Sequence, residues 1–446
     1  VEAEALPAFT QRPIWILCGQ LGVLVAVVMG FGALGPAQPK LLILLLLVCV
    51  GGLVMLGPPR RLGRIIVAAP TIAVVTWWIA SYFWTFNIYG WRSETQGLVP
   101  LIVSLVVLVS LLPGRYLQTA LAAGCYLGIG YTVLQLAIHP GAAMVNPDGV
   151  PGWRGGFIHK NAMGPFMLFA VLVIVSFDRP SWRRRIAIFV ALVLIVMSKS
   201  TTTIAAGFVV LIVYLVVTRL SVASSRASAT IILGALGAVM LVAGFFSYIG
   251  PALLGISGED PTLSRRTDIW AGVIEAIDKR PWIGYGAGGV WGNPNAEPGR
   301  SIRRNLGFHI AHAHNGFLEI LLILGIVGLA LFIWLQLATI RLAIRNVRTE
   351  STVSRFVIAY VVLTIMLSLV EVAFLGIWLA LLCAFNCWVL GIDLRRRRTS
   401  SPLPIVATGG STGSLSWNGS RARSRSEVKR REQGDVGVPV VGEGHG

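Results

Sequence analysis

Apolar runs long enough to cross a bilayer recur from residue 14 to residue 390, separated by short polar turns. A helix needs about 20 such residues to span a hydrocarbon core of ~30 Å. Spans are predicted at 14–34, 41–56, 65–86, 98–112, 116–138, 162–177, 186–197, 204–217, 231–249, 316–340, 356–370 and 372–390. The pattern describes an all-α, polytopic membrane protein of about twelve transmembrane helices. Composition agrees: 13% of residues are charged and mean hydropathy is +0.76, where soluble domains carry about 25% charged residues.

The formal net charge of +18 would suggest nucleic acid in a soluble chain. Here the arginines sit in short loops and in the tail, where they signal topology instead. With the N-terminus inside, alternate loops receive Arg60/Arg61/Arg64, Arg115, Arg179/Arg183/Arg184/Arg185, Arg219/Arg226, Arg341/Arg345/Arg348/Arg355 and the run from Arg395. The short loops opposite receive only Lys40, Arg92, Arg154, Lys160 and Lys199. This positive-inside pattern predicts cytoplasmic termini and a large extracytoplasmic loop, 250–314, between the ninth and tenth spans. Residues 1–13 read as a cytoplasmic N-terminus ahead of a first span, with no cleavable signal peptide. Residues 14–398 form the membrane domain. Residues 399–446, rich in Ser, Gly and Arg, read as a disordered basic cytoplasmic tail, solvated or touching anionic lipid. The five cysteines all fall in apolar runs without zinc-like spacing, which suits helix packing.

The outer loop concentrates the chemistry. Thr267 or Asp268 can cap an amphipathic helix with Ile269, Trp270, Val273, Ile274 and Ile277 on one face. Pro281 stops it. Such a helix would lie at the interface with Trp270 in the headgroups. Arg265 and Arg266 precede it, placing guanidinium groups beside free backbone N–H groups, which suits a phosphate as well as snorkelling to lipid. The run Gly284-Tyr285-Gly286-Ala287-Gly288-Gly289 follows no strand, so it reads as a flexible turn.

His314, next to Asn315 and two residues after His312, stands at the mouth of the tenth span. It can be a general base, a metal ligand or an interface residue. Three histidines, His309, His312 and His314, with no carboxylate pair nearby make a poor metal site. Neighbouring arginines disfavour the imidazolium and leave a neutral base near pH 7, with His312 as the competing base. His159, Lys160 and Asn161 open the sixth span on the same side; Lys160 and Arg154 can lend charge over an anionic head group or anchor the interface. Glu371, between the last two spans, can orient His314 or pair with an arginine.

Taken together these residues resemble the O-antigen ligase and O-antigen polymerase superfamily. Its hallmark, His-(Asn/Ser/Gln), nine residues, then Gly-x-x-Gly, appears as His314-Asn315 and Gly325-Ile326-Val327-Gly328. Its upstream pattern appears as Arg266, Trp270, Pro281 and Gly284-Tyr285-Gly286. Ser198-Lys199-Ser200-Thr201, His159-Lys160-Asn161 with Gly164, and Glu371 resemble further family segments. The resemblance implies a membrane glycosyltransferase of the GT-C type. Such an enzyme passes a glycan from a polyprenyl-diphosphate lipid to an acceptor hydroxyl on a glycan, lipid or protein outside the cytoplasmic membrane, without metal or other cofactor. By position, His314 would be the base, and Arg266, with Arg265 and Arg154, would hold the diphosphate. A transporter or lipid-linked glycan flippase is the alternative; it would place charged residues along the spans, which by sequence are nearly free of them apart from Glu371.

Overall fold

A computed structural model describes residues 12–30, 39–146, 151–220, 264–293, 295–307 and 310–400. Among these residues the chain is all helix, with a single isolated bridge between Val145 and Pro151. The α-helices of eight residues or more are α1 (Ile14–Gly30), α2 (Pro39–Leu56), α3 (Ala69–Ala80), α4 (Ile88–Leu111), α5 (Gly114–Ile138), α6 (Lys160–Phe177), α7 (Trp182–Met197), α8 (Thr201–Leu220), α9 (Ser264–Lys279), α10 (Gly299–Leu306), α11 (Gly316–Asn346), α12 (Ser351–Ser368) and α13 (Gly376–Ser400). A helix stands at every predicted span except 231–249, which lies outside the described residues, as do 250–263 and the tail from 401. Helices α4, α5, α6, α8, α11, α12 and α13 are each long and apolar enough to cross a membrane, making this a polytopic helical membrane protein. Helix α3 is shorter than expected. Its 12 residues rise about 18 Å, and Pro70 and an extended lead-in delay its start.

An aromatic part of the core lies among α6, α11, α12 and α13. Aromatic rings fill it: Tyr360 meets Phe385 edge-on at 4.9 Å and Phe169 at 5.9 Å. Small polar groups join the helices, as where Asn386 donates to Thr339 Oγ1 at 2.9 Å. Such pairs act as glue where lipid offers no hydrophobic drive for association.

Two segments differ from the sequence expectation. Residues 87–96 were expected as a polar turn, but they open α4, because Asn87 Oδ1 accepts the Gly90 N–H and caps the helix. The glycine run 284–289 is no flexible turn. Tyr285 and Ala287 are buried, and Gly284, Gly286 and Gly288 adopt positive φ to pass backbone against backbone.

That loop closes a break in α11. Gly325 leaves the helix at φ 69°, ψ −171°. A break inside a membrane helix exposes carbonyls and amides that lipid cannot satisfy. Here Tyr285 N–H donates to Leu322 O at 2.9 Å and Gly286 N–H to Ile323 O at 2.8 Å. On the far side of the break, Ile326 N–H donates to Pro281 O at 2.8 Å. Trp77 Nε1–H takes up Leu324 O at 3.1 Å. A Cβ on Gly325 would strike the Trp282 carbonyl. Gly325→Ala therefore meets both a backbone conformation closed to L-residues and a clash. It should destabilise the protein by more than about 2 kcal/mol, read as loss of monodisperse, heat-resistant protein after detergent extraction.

Candidate active site

Four segments meet at one end of the bundle: the start of α6, the start of α9, the loop entering α11, and the turn between α12 and α13. Glu371, on that last turn, joins them. Its Oε1 accepts from Arg266 Nη2 at 3.2 Å and from Asn161 Nδ2 at 2.8 Å. Its Oε2 lies 3.4 Å from His314 Nδ1, an ion pair only when the ring is protonated, and that buried nitrogen has no hydrogen-bond partner. Glu371 thus touches both kinds of partner open to it by sequence, a histidine and an arginine. Burial opposes its ionisation, but the His314 contact, Arg266 and His312 outweigh it and hold the carboxyl below its ordinary range.

His314 has φ 50°, a left-handed conformation in a residue with a Cβ. Such a backbone costs about 1–3 kcal/mol and persists only where its surroundings over-determine it. The surroundings do so here. Trp270 Nε1–H donates to Ala313 O at 3.1 Å, and Ala313 N–H to Glu319 Oε2 at 2.7 Å. His314 N–H donates to His312 Nδ1 at 3.3 Å. Asn315 Oδ1 caps α11 through Phe317 N–H and Leu318 N–H, and its Nδ2–H reaches Leu369 O at 3.1 Å.

The rings of His312 and His314 are 4.0 Å apart. Burial, then His314, push His312 down to about 4, so it is neutral at pH 7. With Nδ1 accepting, its proton sits on Nε2. His312, His314 and Glu371 each offer a ligand atom, all within 4.8 Å of one another; the carboxylate that the local sequence lacks arrives from the turn after α12. Arg266 opposes a metal there.

Other sequence candidates are placed differently. Arg154 Nε donates to Ala142 O and Val145 O, both at 2.9 Å, and its Nη1 to Phe157 O at 2.8 Å. Lys160 is buried, with Nζ 3.0 Å from Pro151 O. Both cations, offered by sequence to an anionic head group, brace their own loop in the structure. His159 Nδ1 accepts the Asn161 N–H and caps α6, which presents Asn161 to Glu371. Trp270, expected in the headgroups, turns inward to Ala313; the same helical face that suits a bilayer also suits α11. Ile274 of that predicted face is exposed. The helix already includes Ser264, ahead of the predicted caps, so Arg266 lies within it. The side chain of Arg265 and all of His309 lie outside the described residues.

Glu319 and Trp291 did not stand out by sequence. Glu319 lies inside the predicted tenth span, which corrects the reading of the spans as nearly free of charge apart from Glu371. Its place four residues after the Asn315 cap, in the first turn of α11, was the available signal.

The comparisons with known proteins bear on this end of the molecule. Residues 186–333 match the O-antigen ligase family. The ligase-family segment takes in Arg266, Trp270, His312, His314 and the Gly325 break, and stops short of Asn161 and Glu371. Over 287 residues the chain is 26% identical to the exopolysaccharide production protein ExoQ of Rhizobium meliloti (strain 1021), covering 56% of this chain and 63% of that relative's length. Both findings support the superfamily resembled by the motifs.

The titrations of Glu371 and His312 have one sign. Glu371, held below its ordinary range, contributes stability above the unfolded value of about 4.3 and loses it as pH falls through the folded value. His312, held at about 4, resists the proton that the unfolded chain accepts below about 6.5. Through these two groups, acid should lower the melting temperature from about pH 6.5 downward. In Glu371→Gln the loss at pH 7 should be about 2 kcal/mol and should shrink below pH 4, in thermal scans across pH.

Proposed function

We propose that this chain transfers a glycan from a polyprenyl-diphosphate-linked donor to an acceptor hydroxyl at the outer face of the cytoplasmic membrane. The observation that carries this reading is the meeting of His314 and Arg266 across Glu371 at one end of an apolar bundle. The ligase-family match and the relative named for exopolysaccharide production support it.

The geometry supports the following chemistry. Glu371 beside Nδ1 favours the His314 tautomer with its proton on Nδ1, which leaves Nε2 to take the acceptor's proton. The acceptor oxygen attacks the anomeric carbon, and the bond from that carbon to the diphosphate oxygen breaks. The leaving diphosphate gains charge as it departs. Arg266, fixed by Glu371 with further N–H donors to offer, meets that charge without reorganisation. Glu371 meanwhile stabilises the imidazolium that forms. His312 suits the base role less, since its Nδ1 already accepts the His314 amide. The donor lipid stays in the bilayer and its diphosphate sits at the surface, as the superfamily resemblance implies.

In membranes given a polyprenyl-diphosphate-linked oligosaccharide pool, His314→Ala should lower transfer by about 100-fold or more at matched expression. Arg266→Lys should lower it at least about tenfold, because one ammonium does not replace a guanidinium fork. Lipid-linked donor should accumulate in both. Full transfer by His314→Ala removes it as the base, and full transfer by Arg266→Lys removes Arg266 from the diphosphate.

A further inference from the structure

Glu319 touches none of the residues assigned to the reaction, yet it is only 3% exposed and sits in the first turn of α11, directly behind His314. A carboxyl group in an apolar bundle needs partners for both oxygens. Oε2 accepts the Ala313 N–H at 2.7 Å and Oε1 accepts the Trp291 Nε1–H at 2.8 Å. Trp291 is held in turn. Arg303 lies over its ring, 5.9 Å from the centroid, and ties the surrounding loop through Ile310 O at 3.2 Å and Asn293 O at 2.9 Å. Trp270, on α9, holds the Ala313 carbonyl from the other side. Both peptide groups flanking Ala313 are therefore fixed, one from α11 and one from α9. The next residue is His314, in its left-handed conformation.

We propose that Glu319 is a positioning residue for His314: by holding the Ala313 amide and Trp291 together, it keeps the strained His314 backbone in place and sets the imidazole beside Glu371. This rests on His314 being the general base. Glutamine at 319 keeps the volume and one acceptor oxygen but turns an NH2 toward one of the two donors, so the Ala313 peptide loosens while the fold remains. Misplacement of a catalytic group by about 1 Å costs up to about 100-fold in rate.

The test uses the full chain in detergent or liposomes, with wild type, Glu319→Gln and His314→Ala side by side. Glu319→Gln should lower kcat about 10- to 100-fold, with the KM for the lipid-linked donor within about threefold of wild type. A second readout is independent of activity. The rate at which diethyl pyrocarbonate acylates His314, followed by peptide mass spectrometry, should rise at least about threefold in Glu319→Gln as the loop loosens. Acylation of His159 should not change. Wild-type kcat with an unchanged acylation rate overturns the proposal, as does a loss confined to KM. A faster acylation of His314 together with full transfer by His314→Ala keeps the positioning and overturns the base assignment instead. If Glu319→Gln does not extract as folded protein, Trp291→Phe removes one donor only. It should show the same kcat and acylation signature at about three- to tenfold, and a wild-type result there also overturns the proposal.

Discussion

The arrangement depends on a requirement of the bilayer: backbone N–H and C=O groups without water must find partners within the protein. Helix α11 breaks at Gly325, and the loop from Pro281 to Gly286 supplies the missing partners on both sides of the break. That loop is the direct continuation of α9. Satisfying the break therefore fixes where α9 lies along α11, and with it Arg266 and Trp270 relative to the start of α11. The Gly-x-x-Gly at 325–328 and the Gly-x-Gly at 284–286 are two halves of one splice. The first permits the break and the second permits the loop to come close enough to mend it.

Once α9 is seated, electrostatics does the rest. Three groups that differ in charge and origin converge on Glu371: the guanidinium of Arg266, the amide of Asn161 and the ring of His314. Removing a partner from such a cluster leaves an unpaired group at a partly enclosed site, which is costly. Glu371 is thus structural and electrostatic at once. It orders the ends of α6, α9 and α11 and places negative charge against the His314 ring.

Much of this was legible in the sequence. Apolar runs of fixed length reveal membrane helices, and the ordered set Arg266, Trp270, His314, Gly325 and Glu371 marks one end of the bundle. Periodicity reports which side chains are apolar, but not which backbone bonds a helix keeps, so the break at Gly325 and the burial of 284–289 were invisible. It gives the face on which Trp270 lies without saying whether lipid or protein covers that face. Arg154 and Lys160 illustrate a related limit. A cation near a suspected site suggests a ligand, yet carbonyls of an irregular loop compete for it, and here they hold both side chains. The convergence on Glu371 is tertiary, and no spacing between residues 161, 266, 314 and 371 encodes it.

The left-handed backbone at His314 ties the two halves of the structure together. A β-carbon-bearing residue stays there only if its neighbours are fixed more strongly than the strain releases. Trp270 comes from the α9 side and Glu319 from the α11 side, so the Gly325 splice, which sets those helices against each other, also determines whether Ala313 is gripped at both ends. The strain at residue 314 is therefore sustained by a helix break more than a full turn further along α11. A small residue at 325 and an imidazole at 314 form one mechanical unit, which gives a physical reason for a motif that joins a histidine to a distant glycine pair.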